Sequence, residues 1–215
     1  MGTPADSFDL WGGLSLDEFV ADRHWDDASD AEAGMFLKAL HTATFQHRNQ
    51  TRNGGQTKYT EHLLVVADGL FRLNFGIEVQ IAGLLHDVQE DCNMATAEIR
   101  RRFGNKVSAL VAYLSKDPNN KDVYFEQLYE GTQDHYEVIF IKLLDRWHNL
   151  TTAWGLRNQE RQLRLLRETV GPMKELFDRC RNLIPEDRLN DYDVIVRQVV
   201  SRAEGKLRGM TGSIE

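Results

Sequence analysis

The sequence predicts an all-α protein: one helical bundle of roughly nine or ten helices around a shared core, with little or no sheet. Three observations carry that expectation. The 215 residues include only four prolines and sixteen glycines. Long runs of helix-favouring residues extend unbroken between them, with apolar positions recurring at helical spacing. Turn formers are gathered into a few short clusters that separate those runs, such as Asn53-Gly54-Gly55 and Asp117-Pro118-Asn119-Asn120.

Taken in order, residues 1–30 form an acidic extension. Ser15-Leu16-Asp17-Glu18 can open a short helix there, and Trp11, Phe19 and Trp25 supply apolar surface for packing on the main domain. Helical periodicity becomes steady over 31–46, and a loop rich in turn formers covers 49–58. Thr60 then caps a helix over 61–73. An apolar helix follows over 77–91, Thr96 opens a short one that ends at Gly104, and 106–114 forms the next. Helices over 123–129 and 135–154 come after the Asp-Pro-Asn-Asn turn, the second strongly apolar across 138–144. Two long amphipathic helices, 159–182 and 185–207, complete the pattern. The expected organisation is the extension 1–30, a main domain 31–183, and a C-terminal helix within 184–215 packing on that same domain.

Composition narrows the function classes. Hydrophobic content of 41% and charged content of 27% are ordinary for a soluble globular chain. A net charge of −7 argues against broad nucleic-acid binding, which needs a basic footprint. A cleft that concentrates a metal and a few cations still accepts a polyanion. No apolar stretch reaches the roughly 20 residues of a membrane span, and the N-terminus lacks a basic-then-apolar signal pattern. Cys92 and Cys180 lie far apart without CxxC spacing, which points to reduced thiols and a cytoplasmic setting. The sequence selects neither a monomer nor a homo-oligomer.

The chemistry is concentrated in Leu84-Leu85-His86-Asp87-Val88-Gln89-Glu90-Asp91. Four ionisable groups closing a buried apolar helix are costly to desolvate unless a metal or a partner compensates them. On the expected helix, His86 and Glu90 sit one turn apart, as do Asp87 and Asp91, so they form two adjacent rows. Asp145 likewise ends an apolar run, Ile139-Phe140-Ile141-Lys142-Leu143-Leu144, and His62 lies one turn into its helix. Two imidazoles and two carboxylates suit an octahedral ion with open water positions, such as Mn²⁺, Fe²⁺ or Mg²⁺, better than a closed structural zinc site. Taken singly, each of these residues reads as an ordinary hydrogen-bonded or ion-paired core group; taken jointly they read as a metal site. Glu90 and Asp91 are placed to act on water bound there.

The order His62, His86-Asp87, Asp145 resembles the HD superfamily of metal-dependent phosphohydrolases. The flanking words His47-Arg48-Asn49-Gln50-Thr51-Arg52, Tyr59-Thr60-Glu61-His62, Phe103-Gly104 and Ile141-Lys142-Leu143-Leu144-Asp145-Arg146-Trp147-His148-Asn149 are similar to the hydrolase domain of RelA/SpoT homologues, and Arg167-Glu168-Thr169-Val170 lies where that family carries a similar element. The resemblance implies an HD-type bundle over 31–183. It also implies removal of the 3′-pyrophosphate from purine alarmones, (p)ppGpp or the adenosine analogues pApp and ppApp, with Mn²⁺ as cofactor. Carried over, His62, His86, Asp87 and Asp145 bind the metal, and Glu90 and Asp91 activate or orient the attacking water. Arg52 stacks on the purine, and Asn149 and Thr152 approach the sugar and phosphates. Lys142 and Arg146 are read equally as phosphate contacts and as partners of nearby acids.

With no room for a synthetase domain, the chain resembles the stand-alone small members. It departs from the family pattern at Lys58 and Leu63, where prolines are expected, in a loop between Arg52 and Tyr59 one residue longer, and at Asn53, where a second basic residue is common. That loop faces the base, which leaves guanosine and adenosine compounds as competitors. The alternatives are a generic HD nucleotidase or phosphodiesterase and an alarmone-binding module without catalysis. The arginines at 157, 161, 164 and 167 read as a solvated helix face paired with Glu160 and Glu168. His47 reads as a structural hydrogen-bonding residue, and His148 as a support for Asp145.

Overall fold

The computed structural model describes residues 29–52, 57–117, 123–152 and 158–211. The extension 1–28, Asn53 with its glycine turn, the Pro118-Asn119-Asn120 turn, Trp154 and Arg157 lie outside them. The described chain is helical apart from one small hairpin, as expected of an all-α fold. Its helices are α1 (Asp30–Gln46), α2 (Tyr59–Arg72), α3 (Ile77–Leu85), α4 (Val88–Cys92), α5 (Thr96–Phe103), α6 (Asn105–Leu114), α7 (Tyr124–Asp134), α8 (Glu137–Thr152), α9 (Gln159–Glu168), α10 (Lys174–Cys180) and α11 (Leu189–Thr211). Ten of these have seven residues or more, and α4 is a single turn. Strands β1 (Thr51–Arg52) and β2 (Thr57–Lys58) pair antiparallel, Thr51 with Lys58 and Arg52 with Thr57.

Three differences from the expected elements bear on the site. The helix expected over 77–91 is interrupted at His86-Asp87, between α3 and α4. Asp87 has a near-bridge conformation (φ −100°, ψ −4°), so the two carboxylate-bearing segments are re-aimed. Helix α2 begins at Tyr59, directly from β2, so Thr60 lies inside the first turn instead of capping it. The helix expected over 159–182 kinks through a π-turn, Thr169–Met173, where Gly171 leaves helical geometry ahead of Pro172.

The core explains how the site is held. Helices α2 and α3 form an antiparallel pair, joined by a turn in which Asn74 takes a left-handed conformation (φ 54°) and the Phe75 N–H donates to the Leu70 carbonyl at 3.0 Å. Antiparallel packing brings the first turn of α2, with His62, beside the end of α3, with His86. Gly83 makes the approach close: a Cβ there would lie 2.6 Å from Leu70 Cδ1. Helix α8 packs on both α2 and α11, and its Ile139, Phe140, Ile141 and Leu143 are fully buried. Burying each such side chain contributes about 1.5–3 kcal/mol, enough to offset the cost of fixing Asp145 among them. Among the described residues, no helix is long and apolar enough to cross a membrane.

Candidate metal centre and substrate cleft

The structure brings His62, His86, Asp87 and Asp145 together from α2, the α3–α4 break and α8. His62 Nε2 lies 3.2 Å from His86 Nε2, 3.2 Å from Asp145 Oδ1 and 3.6 Å from Asp87 Oδ2. His86 Nε2 is 3.1 Å from Asp87 Oδ2 and 3.9 Å from Asp145 Oδ1. Adjacent ligands around an octahedral ion with bonds of about 2.1 Å stand about 3 Å apart. His86 Nδ1 donates to the Gly83 carbonyl at 2.7 Å, so a neutral His86 directs the lone pair of Nε2 at the centre. Acceptor atoms facing one another in a buried space fit a cation between them. The donor set therefore suits a divalent metal, with His62, His86 and Asp87 grouped tightly enough to hold one.

The electrostatics agree. Burial, followed by the positive Arg52, pushes His62 down to about 4. Burial acts the same way on His86, but the Asp87 and Asp145 carboxylates outweigh it and push that imidazole up to about 9. Burial opposes the charge on both carboxylates too, yet His86 holds Asp87, and Lys142 holds Asp145, below the usual carboxylate range. Two carboxylates, a buried Asp145 and a partly buried Asp87, thus draw positive charge to one point.

Around this centre opens a cleft of about 560 Å³. Glu90 and Asp91, on α4, line it on one side. The Lys116 backbone N–H donates to Glu90 Oε2 at 3.3 Å. Burial raises the Glu90 carboxyl, with the Lys116 N–H working against the shift and Asp87 adding to it. On α8, Lys142 Nζ donates to Asp145 Oδ2 at 2.8 Å, and Asn149 Nδ2 donates to Asp145 Oδ1 at 2.5 Å. Arg146 pairs with Glu168 of α9, and Arg52 of β1 donates to Asn149 Oδ1. Thr152 lines the cleft and donates to the His148 carbonyl at 3.0 Å. Lys142 and Arg146 therefore both sit in ion pairs with acids, and both still face the cleft.

Two readings of the sequence need correction. Glu168 pairs with Arg146, not with the α9 arginines, and Arg161 and Arg164 line the cleft instead of only meeting solvent. The Asn158 side chain caps α9 through the Arg161 N–H at 3.0 Å, which fixes where those arginines start. His148 contacts His62, with 2.7 Å between the two Nδ1 atoms, instead of supporting Asp145. His47 meets Gln50 Oε1 at 2.7 Å and stacks on Tyr59, outside the ligand cluster.

Sequence reasoning passed over Tyr59, Lys116 and Tyr124. The Tyr59 hydroxyl donates to Asp87 Oδ2 at 2.6 Å. Its place three residues before His62, on the same helix face, was the available signal. Lys116 and Lys142 both lie over the Tyr124 ring, at 5.1 and 5.4 Å from its centre. Nothing local in the sequence marks that convergence from three separate segments.

Comparison with known proteins gives the family. Residues 39–171 match the HD domain family model. A Spiroplasma citri protein named guanosine-3′,5′-bis(diphosphate) 3′-pyrophosphohydrolase is 36% identical over 141 residues, covering 62% of this chain and 19% of that protein. The Escherichia coli (strain K12) bifunctional (p)ppGpp synthase/hydrolase SpoT is 34% identical over 132 residues, covering 58% of this chain and 18% of that protein. The chain thus spans about a fifth of the length of these curated relatives. A solved structure, of a metazoan ortholog of SpoT described as hydrolysing ppGpp and playing a role in starvation responses, superposes with a TM-score of 0.60 at 27% identity, covering 76% of this chain and 94% of that one. With a family model matching well over half its length around the buried His and Asp residues, the chain belongs to the HD domain family.

Proposed function

We propose that this protein is a divalent-metal-dependent 3′-pyrophosphohydrolase of purine alarmone nucleotides, acting in the cytoplasm on (p)ppGpp or its adenosine counterparts. The observation that carries the reading is the union of two features in one cleft. Four metal-type donors converge at its floor, and cationic side chains, Lys116, Arg161 and Arg164 among them, line its walls. Buried N–H groups of Arg52 and Arg146 have no partner among the described residues, which leaves the cleft short of anions. The names of the relatives and of the structural neighbour support guanosine over adenosine as the nucleoside, and Mn²⁺ is the ion proposed, with Fe²⁺ and Mg²⁺ as competitors.

A divalent cation held by His62, His86, Asp87 and Asp145 supplies Lewis-acid polarisation and acidifies water. The chain's own groups do the rest. Glu90 and Asp91 share the proton taken from the attacking water, as a coupled pair. The water oxygen bonds to the phosphorus attached to the 3′ oxygen. The bond between that phosphorus and the 3′ oxygen breaks, and the 3′ oxygen takes up a proton, giving pyrophosphate and a 3′-hydroxyl. Lys142 keeps Asp145 ionised, Asn149 holds the same carboxylate in place, and Arg52, Lys116, Arg161 and Arg164 offset phosphate charge. Tyr59 fixes Asp87.

The test is incubation of Mn²⁺-loaded protein with ppGpp, ppApp and dGTP, with pyrophosphate and nucleotide products resolved by chromatography. Pyrophosphate from a 3′-substituted nucleotide, with dGTP untouched, is the expected result. Turnover of dGTP alone assigns a general nucleotidase, and tight ppGpp binding without products assigns a sensor; either overturns the proposal.

A further inference from the structure

We infer that His148 is the positioning residue that sets His62 in its metal-binding tautomer. This inference rests on the metal-centre reading above. His86 has its tautomer fixed by an obligate acceptor, the Gly83 carbonyl. His62 does not. Its Nδ1 faces the Nδ1 of His148 at 2.7 Å in a buried contact, with the rings 4.9 Å apart and inclined by 25°.

Two imidazole nitrogens at that distance share one hydrogen, so one donates and the other accepts. If His148 donates, the proton of a neutral His62 sits on Nε2. It then points at His86 Nε2 and Asp145 Oδ1, each 3.2 Å away, and fills the cation's position. If His62 donates, its Nε2 turns a lone pair to that same point and His148 carries its own proton on Nε2. The two tautomers are therefore coupled: cation binding requires the proton on His62 Nδ1, and His148 Nδ1 must be the acceptor. A carbonyl behind His62 would allow one state only. A second imidazole allows both, and makes His148 part of the binding equilibrium.

The placement follows from helix geometry. His148 stands three residues after Asp145 on α8, on the same face. One helix thus gives a carboxylate to the centre and the group that orients a ligand contributed by α2. Thr152 Oγ1, donating to the His148 carbonyl at 3.0 Å, ties that turn to the cleft wall.

The experiment has two arms. Long-range ¹H–¹⁵N spectra of the wild-type protein loaded with Zn²⁺, a diamagnetic probe, read the protonation of each imidazole nitrogen. Expected are a proton on His62 Nδ1, a metal-shifted His62 Nε2, and a His148 protonated on Nε2 with Nδ1 accepting. A loaded protein with the His148 proton on Nδ1 overturns the inference. In the second arm, Mn²⁺ affinity is measured by electron paramagnetic resonance for His148→Phe, which keeps a ring without an acceptor, and for His148→Asn, whose side-chain oxygen can replace Nδ1. Affinity should fall about 10- to 100-fold in the first and be largely restored in the second. A His148→Phe protein that binds Mn²⁺ like wild type, with an unchanged Co²⁺ absorption spectrum, also overturns it. Should His148→Phe fail to fold, the wild-type spectra still decide. A wild-type protein that takes up no metal defeats the metal-centre reading instead, a result distinct from either.

Discussion

The floor and the wall of the cleft are built on opposite principles. At the floor, His62, His86 and Asp145 are buried, their polar atoms engage one another or a backbone carbonyl, and three helices of the core fix their positions. On the α9 wall, Arg161 and Arg164 are exposed on a helix whose next turns kink at Gly171-Pro172. Charges desolvated in a core tolerate one arrangement, because any misplacement leaves them uncompensated. Exposed guanidinium groups adapt to what they meet. The contrast teaches that the proposed metal donors are held in place by the core, while the arginines of the α9 wall have room to adjust to what enters the cleft.

The comparison can be broken most severely at the floor. Asp145→Ala removes one of the four proposed metal donors and releases Lys142 and Asn149 together. It should leave a protein without bound metal and without turnover, read by elemental mass spectrometry beside an activity assay; metal retained in full would show that the four donors do not act as one site. Glu90→Gln separates the water-handling pair from the ligands. It should keep the metal and lower kcat by about 10²–10⁴-fold, so unchanged kcat would remove Glu90 from proton transfer. Because burial raises the Glu90 carboxyl above its ordinary value, the acid limb of the kcat/KM profile should lie above that of an unshifted glutamate. A general base works only when ionised, so activity is lost as pH falls through that raised value. A profile flat down to the ordinary value would assign the limb elsewhere.

Smaller effects test how rigidly the floor is held and how loosely the wall. Gly83→Ala places a methyl group against Leu70 and should destabilise the fold by about 1–3 kcal/mol in urea titration. Unchanged stability would show that the α2–α3 approach is less constrained than the packing indicates. Arg164→Ala should raise KM by up to about tenfold with kcat nearly intact, since an exposed charge contributes only a fraction of a buried charge-assisted bond. A large fall in kcat would place Arg164 with the chemistry instead.

Legibility in the sequence followed the same division. His86-Asp87 and Asp145 stand out because each ends an apolar run, where a polar group needs a reason, and His62, one turn into its helix, gains its meaning only beside them. The arginines at 161 and 164 did not, since an arginine facing water and one facing a cleft look identical along the chain. The break at His86-Asp87 was hidden by an unbroken helical pattern; it comes from the side-chain bond of His86 to the Gly83 carbonyl and the near-bridge backbone of Asp87. Gly171-Pro172 is a local signal for the kink after α9, and the helix expected over 159–182 passes over it. The role of His148 was misdirected by its nearness to Asp145 in sequence, because its partner lies 86 residues away on another helix. Local spacing reports which face a residue occupies, not what packs against that face.

The central claim is that water attacks phosphorus at the 3′ position over this metal centre. It is tested most directly by turning over ppGpp with the Mn²⁺-loaded enzyme in H₂¹⁸O and locating the label by mass spectrometry. The account predicts GDP without label and pyrophosphate carrying one ¹⁸O, with none formed by the metal-stripped protein. Labelled orthophosphate, label retained in the nucleoside product, or equal turnover without metal would contradict it.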